Sequence, residues 1–252
     1  MTLNGRIAVV TGSSRGIGAE IARLFARNGA AVVVHGRDAT AVSAVRSEIE
    51  REGGRAIAVT ADVTRYEELE AMRARVEAEL GAVDILIANA GANLTPPRAP
   101  IEEITEDGWR ASIDANLTAT FLTIKSFLPG MKERRRGSII TISSAAARRA
   151  TMMSPTPYAV AKAGVQLLTQ AVATQVGPFG VRVNCIAPET ILTERNAEEI
   201  PPAIQTKLAE DHPLRRLGTP ADVAQAALYL ASEASAWVTG VIVDVAGGAV
   251  LR

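Results

Sequence analysis

The chain has 252 residues, 48% of them hydrophobic, enough to enclose one sizeable core in a single α/β domain. Lys plus Arg equals Asp plus Glu at 27 each and only 4% of residues are aromatic, which argues against a nucleic-acid groove or a membrane-surface helix and leaves a small soluble partner as the expectation. Cys185 is the one cysteine, His35 and His212 are the only histidines, and no run approaches the roughly 18 apolar residues of a membrane span, so the expectation is a cytoplasmic, metal-free protein with no disulfide, export signal or membrane partner.

Short β-branched runs alternate with longer segments of helical period, the pattern of a parallel sheet covered on both faces. The first strand, 6–10, leads into TGSSRGIG at 11–18 and then into AEIARLFARNG, which has a helical period. Three glycines and two serines where a strand hands over to a helix are more than a turn requires. Gly12 permits the tight turn, Gly16 and Gly18 let the backbone approach a pyrophosphate and the helix pack close to the sheet, and the free amides of the helix start favour phosphate. The spacing is T-G-x-x-x-G-x-G, not the G-x-G-x-x-G of the usual dinucleotide fingerprint.

Asn28-Gly29 closes the first helix, and the second strand, 31–35, ends in HGRD. An acid there would hold the ribose 2′-hydroxyl of NAD; Gly36 takes that place and Arg37 follows it, with Arg15 in the glycine loop able to reach the same point. This favours a 2′-phosphate and hence NADP, with Asp38 as the one opposing charge. Gly53-Gly54 ends the next helix, the third strand spans 56–60, and Thr64 with Glu67 reads as a capping box. The fourth strand, 83–88, runs into ANAG, and the fifth, 138–143, into SSAA.

In YAVAK, Tyr158 and Lys162 stand four residues apart, on one face of a helix. A phenol titrates near 10, too high for proton transfer at neutral pH, and an adjacent ammonium together with an oxidised nicotinamide lowers it. The sixth strand, 181–186, runs into PETILT. The stretch 187–218 carries no strand signal and reads as either a substrate lid or a helical surface excursion. TPAD at 219–222 offers cap, proline and acid before the last helix, and the seventh strand, 241–245, closes with AGGAVLR.

The order TGxxxGxG, NAG, Asn, Ser, YxxxK resembles the short-chain dehydrogenase/reductase family over essentially the whole chain. The resemblance implies an α/β, doubly wound Rossmann-type fold in one domain over 1–252, with a seven-stranded parallel sheet and helices on both faces. It implies catalysis by Asn116, Ser144, Tyr158 and Lys162. Ser144 is the better match in TISSAA and Ser143 its rival, while Asn116 in IDANLTA is similar to an asparagine that bends a helix and holds a water linking the lysine to solvent. For NADP(H), the resemblance implies contacts from Gly12, Ser14, Arg15, Gly16, Ile17 and Gly18, from Arg37, and from Asp62, which meets the adenine amino group, with Val63. It adds Asn89, Ala90 and Gly91, with Ala88 where the family has the first Asn of NNAG, then Tyr158, Lys162, Pro188, Ile191 and Thr193.

Glu189 stands where the family usually has the glycine of P-G-x-x-x-T. If that glycine serves a positive φ, glutamate is strained there; its charge at the mouth of the site implies an altered substrate preference. The stretch AAARRATMMSPTP (145–157) reads as an apolar, methionine-bearing wall with two arginines. The implied reaction is hydride transfer between NADP(H) and a carbonyl or secondary alcohol. NGRIAVVTGSSRGIG and RLGTPADVAQAALYLASEASAWVTG are similar to 3-oxoacyl-[acyl-carrier-protein] reductases of the family. Phe179 stands where those commonly carry a basic residue, which leaves KERRRG (132–137) as the docking patch for an acidic carrier. Sugar, steroid and small-ketone substrates are the alternatives, and a non-enzymatic NADP-binding sensor the remote one. The helical stretches 106–129 and 155–177 carry apolar residues on more than one face; with the apolar tail and the family's habit, this implies a homotetramer, with a dimer as the alternative.

Overall fold

The computed structural model describes residues 1–92, 99–148 and 154–250. The seven expected strands are present as β1 (Ile7–Val10), β2 (Ala31–Gly36), β3 (Arg55–Thr60), β4 (Ile85–Ala88), β5 (Gly137–Ile142), β6 (Val181–Pro188) and β7 (Ile242–Val245). They form one parallel sheet in the order β3-β2-β1-β4-β5-β6-β7. The order reverses between β1 and β4, and the crevice at the carboxyl ends of those strands is where ligands bind in open sheets of this kind.

Residues of β2, β4 and β5 are buried throughout, as expected for strands covered on both faces. On one face α1 (Gly16–Arg27), α2 (Ala39–Arg51) and α9 (Pro220–Ala231) supply Phe25, Ile49 and Leu228 to a core with Ala8 and Val10. On the other, α3 (Tyr66–Glu79), α5 (Ala119–Glu133) and α6 (Thr156–Val176) bring Leu69, Phe127 and Val176 against Val9. Alternation along the strand thus feeds two cores, and each large side chain buried there contributes roughly 1.5–3 kcal/mol over exposure.

Most expected helix ends hold. Asn28 caps α1 ahead of Gly29 at φ +92, Gly53 follows α2 at φ +82, and Thr219 with Asp222 forms the capping box of α9. The Thr64–Glu67 box does not form. The amide and hydroxyl of Thr64 both donate to Asp62 Oδ1, α3 starts later with Arg65 as an N-cap that makes no side-chain bond, and Glu68 reaches back to the Asp62 amide. A short acidic side chain two residues away outcompetes the helix for the threonine. The segment after β6 is helical, with α7 (Glu194–Glu199) and α8 (Pro202–Asp211), and is tied down by a bridge between Ile191 and Gly218. Between α4 (Glu106–Ile113) and α5 lies a π-helical turn, Asp114–Thr118, which contains Asn116. Among the described residues no helix is long and apolar enough to cross a membrane.

Candidate active site

The strand-to-helix turn is braced from below. Gly12 sits at φ +65, and a Cβ there would lie 2.9 Å from the Ala90 Cα; a Cβ on Gly18 would lie 2.4 Å from the Gly12 carbonyl oxygen. Side chains are therefore excluded where β1, β4 and α1 converge. Thr11 Oγ1 accepts from the amides of Asn89 and Ala90 (3.1 Å each), and Asn89 Nδ2 donates to the carbonyls of Thr11 (2.9 Å) and Gly12 (3.0 Å), locking ANAG to the glycine loop. Under the loop the buried His35 accepts from the Gly12 amide at Nδ1 (3.1 Å) and faces the Ala61 carbonyl with Nε2 (3.1 Å). That pairing requires the neutral Nε2–H tautomer, and burial pushes the imidazole down to about 4. Sequence reading passed over His35 as a brace; its only signal was a polar residue ending an apolar strand.

Among the described residues the amides of Ser14, Arg15, Gly16 and Ile17 have no partner, and Arg15, the N-cap of α1, makes no side-chain cap. Open amides at the positive end of a helix dipole fit a pyrophosphate. A Cβ on Gly36 would lie 3.2 Å from Ser14 Oγ; Arg15, next to Ser14, and Arg37, next to Gly36, are both exposed. Asp38, the opposing charge, is engaged elsewhere: its Oδ1 accepts from the amides of Thr40 (2.9 Å) and Ala41 (3.1 Å) at the start of α2. Asp62 is held below the usual carboxylate range mainly by its bonds from Thr64, with Arg37 adding to the shift, and its Oδ2 stays open; the adjoining Val63 is buried.

At the carboxyl end of β5 the two serines part ways. Ser143 is buried and donates to the Lys162 carbonyl (2.8 Å) while accepting from Gln166 Nε2 (3.1 Å). Ser144 is partly exposed, its Oγ accepts from the Ala146 amide (3.1 Å), and its hydroxyl lies close enough to Tyr158 to act on the phenol. Tyr158 and Lys162 share a face of α6, with Nζ 5.7 Å from the ring centroid. Burial raises the Tyr158 pKa, and the Ser144 hydroxyl opposes it; the chain alone does not depress the phenol as the spacing led one to expect. Burial also lowers Lys162 to about 8. Its Nζ donates to the Ile142 carbonyl (2.9 Å), leaving two N–H donors.

Asn116 is fully buried in the π turn. Its Nδ2 donates to the carbonyls of Ala92 (2.7 Å) and Ser112 (2.9 Å), while Oδ1 has no partner among the described residues. That orphaned oxygen and Lys162 Nζ lie 2.7 and 3.1 Å from where a Cβ of Gly91 would be, so the missing side chain opens one small space lined by both.

Beyond β6, Ile191 directs its carbonyl to Asn196 Nδ2 (2.7 Å) and the Thr193 amide (2.9 Å), so only its N–H remains for a nicotinamide carboxamide. Thr193 caps α7 next to the buried Pro188 end of β6. Glu189 is not strained: among the described residues Arg135 and Arg215 are the non-glycine residues with positive φ. Its Oε2 accepts from the Thr190 amide and meets His212 Nε2 at 2.7 Å. The open amides, the orphaned Asn116 oxygen and the unused Lys162 donors together fit a dinucleotide.

Of the supposed wall, Arg149, Ala150, Thr151, Met152 and Met153 lie outside the described residues, as do Leu251 and Arg252 of the tail. Arg148 turns away to Asp244 on β7, with Nε 3.2 Å from Oδ1. The KERRRG patch precedes β5, at the opposite end of that strand from Ser144, and its cations are occupied. Lys132 sits 4.2 Å over the Phe179 ring, Arg134 and Arg135 donate to carbonyls, and Arg136 lies 3.4 Å from Asp84.

A family model described as Enoyl-(Acyl carrier protein) reductase matches residues 12–250. The chain is 39% identical over 250 residues to 7alpha-hydroxysteroid dehydrogenase of Escherichia coli (strain K12), covering 99% of this chain and 96% of that protein. A 3-oxoacyl-[acyl-carrier protein] reductase with bound NAD from Brucella melitensis is similar in structure with a TM-score of 0.91 at 35% identity, covering 100% of this chain and 93% of that one. A gluconate 5-dehydrogenase from Burkholderia cenocepacia J2315, in complex with NADP and tartrate, gives a TM-score of 0.91 at 34% identity and coverage of 98% and 96%.

Proposed function

This chain belongs to the short-chain dehydrogenase/reductase family of oxidoreductases, and from that premise we propose that it is an NADP(H)-dependent enzyme interconverting a carbonyl and a secondary alcohol. The observation that carries the reading is Tyr158 with Lys162 on the same helix face, Nζ 5.7 Å from the ring centroid, and Ser144 beside the phenol, at the sheet end that also presents the open amides of α1. When bound, the nicotinamide supplies or accepts the hydride. Ser144 donates to the carbonyl oxygen and Tyr158 gives that oxygen its proton; the raised phenol pKa keeps the proton in place for reduction. Lys162 uses one of its two remaining N–H donors on the nicotinamide ribose and gives the other to the water, held also by Asn116 Oδ1, through which the proton is replaced. Gly12, Ser14, Arg15, Gly16, Ile17, Gly18, Arg37, Asp62, Val63, Asn89, Ala90, Gly91, Pro188, Ile191 and Thr193 form the cofactor cradle.

The position of KERRRG, a strand's length from Ser144, speaks against that patch guiding a carrier-bound thioester into the site, so the reading favours a free carbonyl over a 3-oxoacyl group on a carrier. An absorbance assay with NADPH against sugar-derived, steroid and small ketones and a 3-oxoacyl thioester tests it, and silence across the panel would leave only a nucleotide-binding role. NADPH is expected to bind at least about tenfold more tightly than NADH, since tenfold needs only ~1.4 kcal/mol and Arg37 directly follows Gly36 while Arg15 is exposed in the glycine loop. Arg37→Asp should move the preference toward NADH; equal affinities for the wild type in a fluorescence titration would sink the assignment.

We also propose a homotetramer. Phe121 on α5 is 46% exposed and Leu167 on α6 68%, and beyond them Trp237 is fully exposed beside the β7 edge. Light scattering should return four times the 26.5 kDa subunit mass, and Phe121→Asp should yield a smaller species. A subunit mass for the wild type at micromolar concentration would reject the assembly.

A further inference from the structure

Glu189 follows directly on Pro188 at the carboxyl end of β6. Ile142 pairs with Ile186, and the Ser143 amide donates to the Ile186 carbonyl (2.8 Å), so Ser144 and Pro188 leave neighbouring strands at the same level. Neighbouring strands lie about 4.8 Å apart, which sets Glu189 beside the proposed catalytic serine. Its two carboxylate oxygens are treated differently by the fold. Oε2 is held twice, by the Thr190 amide and by His212 Nε2, whereas Oε1 has no partner among the described residues and the side chain keeps 16% exposure.

His212 is built in behind it. The ring is buried, Nδ1 meets the Leu208 carbonyl at the end of α8, and Cδ2 lies 3.1 Å from where a Cβ of Gly247 would be, so the imidazole is clamped between α8, the C-terminal loop and Glu189. Nδ1 faces the Leu208 carbonyl and Nε2 faces Glu189 Oε2, so the ring holds the carboxylate in one orientation. What remains at Oε1 is a fixed hydrogen-bond acceptor, suited to a hydroxyl donor.

We infer that Glu189 is a specificity-determining residue that accepts a hydrogen bond from a hydroxyl on the carbon next to the reacting one, and that His212 is a positioning residue acting through it. The substrate class is thus hydroxy ketones and vicinal diols, an inference that rests on the oxidoreductase reading above. A carboxylate oxygen left dry against an apolar substrate loses its solvation without compensation, so the deoxy analogue is rejected.

The test compares kcat/KM for 2-hydroxycyclohexanone and cyclohexanone with NADPH and with NADH. The wild type should favour the hydroxy ketone at least about tenfold. Glu189→Gly should bring the ratio near one, and His212→Phe should reduce it chiefly through KM. Should Glu189→Gly fail to fold, Glu189→Ala serves in its place at this ordinary backbone position. Saturation-transfer NMR on Tyr158→Phe should rank the two ketones in the same order without turnover. Equal kcat/KM values for the wild type, or a ratio unmoved by loss of Glu189, would overturn the inference alone. Failure of both ketones to be turned over or bound would overturn the oxidoreductase reading and the inference with it.

Discussion

Tyr158→Phe is expected to lower carbonyl reduction by roughly 10² or more while NADPH affinity stays nearly unchanged. The substitution removes the hydroxyl beside Ser144 and keeps the ring that packs in the site. Lys162→Met should harm turnover and cofactor binding together, because its ammonium serves both the ribose and the proton path. Since burial lowers Lys162 to about 8, the reductive kcat/KM should hold at neutral pH and fall as pH rises through 8, when the lysine loses its charge. The Met variant should lack that limb. Ser144→Ala should cost far more activity than Ser143→Ala, whose hydroxyl is spent on the backbone and Gln166. A Tyr158→Phe enzyme with near-normal turnover would show that the acid lies elsewhere.

The second large effect is on stability. His35 is neutral in the fold with its pKa pushed down to about 4, against the ordinary histidine value of 6.5, so between those limits the unfolded chain takes up a proton that the folded one refuses. Stability is therefore complete above pH 6.5, declines as pH falls, and levels off near 4. A shift of that size corresponds to about 3 kcal/mol, a large share of a typical folding free energy. Denaturant unfolding at several pH values should show this decline in the wild type and a shallower one in His35→Gln, which can still accept from the Gly12 amide and donate to Ala61. Parallel curves for the two proteins would refute the role given to His35. Because Gly12 hangs from this ring, cofactor affinity should weaken over the same interval.

Much of the fold was legible because its determinants are short-range. Short, continuous β-branched runs marked the seven strands, glycines marked the ends of α1 and α2, and the Thr219–Asp222 box was readable because cap and partner lie three residues apart. Tyr158 and Lys162 were likewise visible together, since a helix brings residues four apart onto one face. The Thr64–Glu67 box was misread because a competing acceptor, Asp62, changed which turn the threonine joins.

The amino-acid sequence by itself determined the alternation of strands and helices, the glycine turn and the spacing of the catalytic candidates. Tertiary structure alone decided which serine lies beside Tyr158, that Asn89 is tied to Thr11 across 78 residues, and that Glu189 is paired with His212 across 23. The physical reason is range. Periodicity and capping are set by neighbours in the chain, whereas burial, hydrogen-bond choice and the protonation of a group such as His35 depend on what the sheet brings beside it. A one-dimensional pattern names the candidates for such contacts and carries no information on which of them meet.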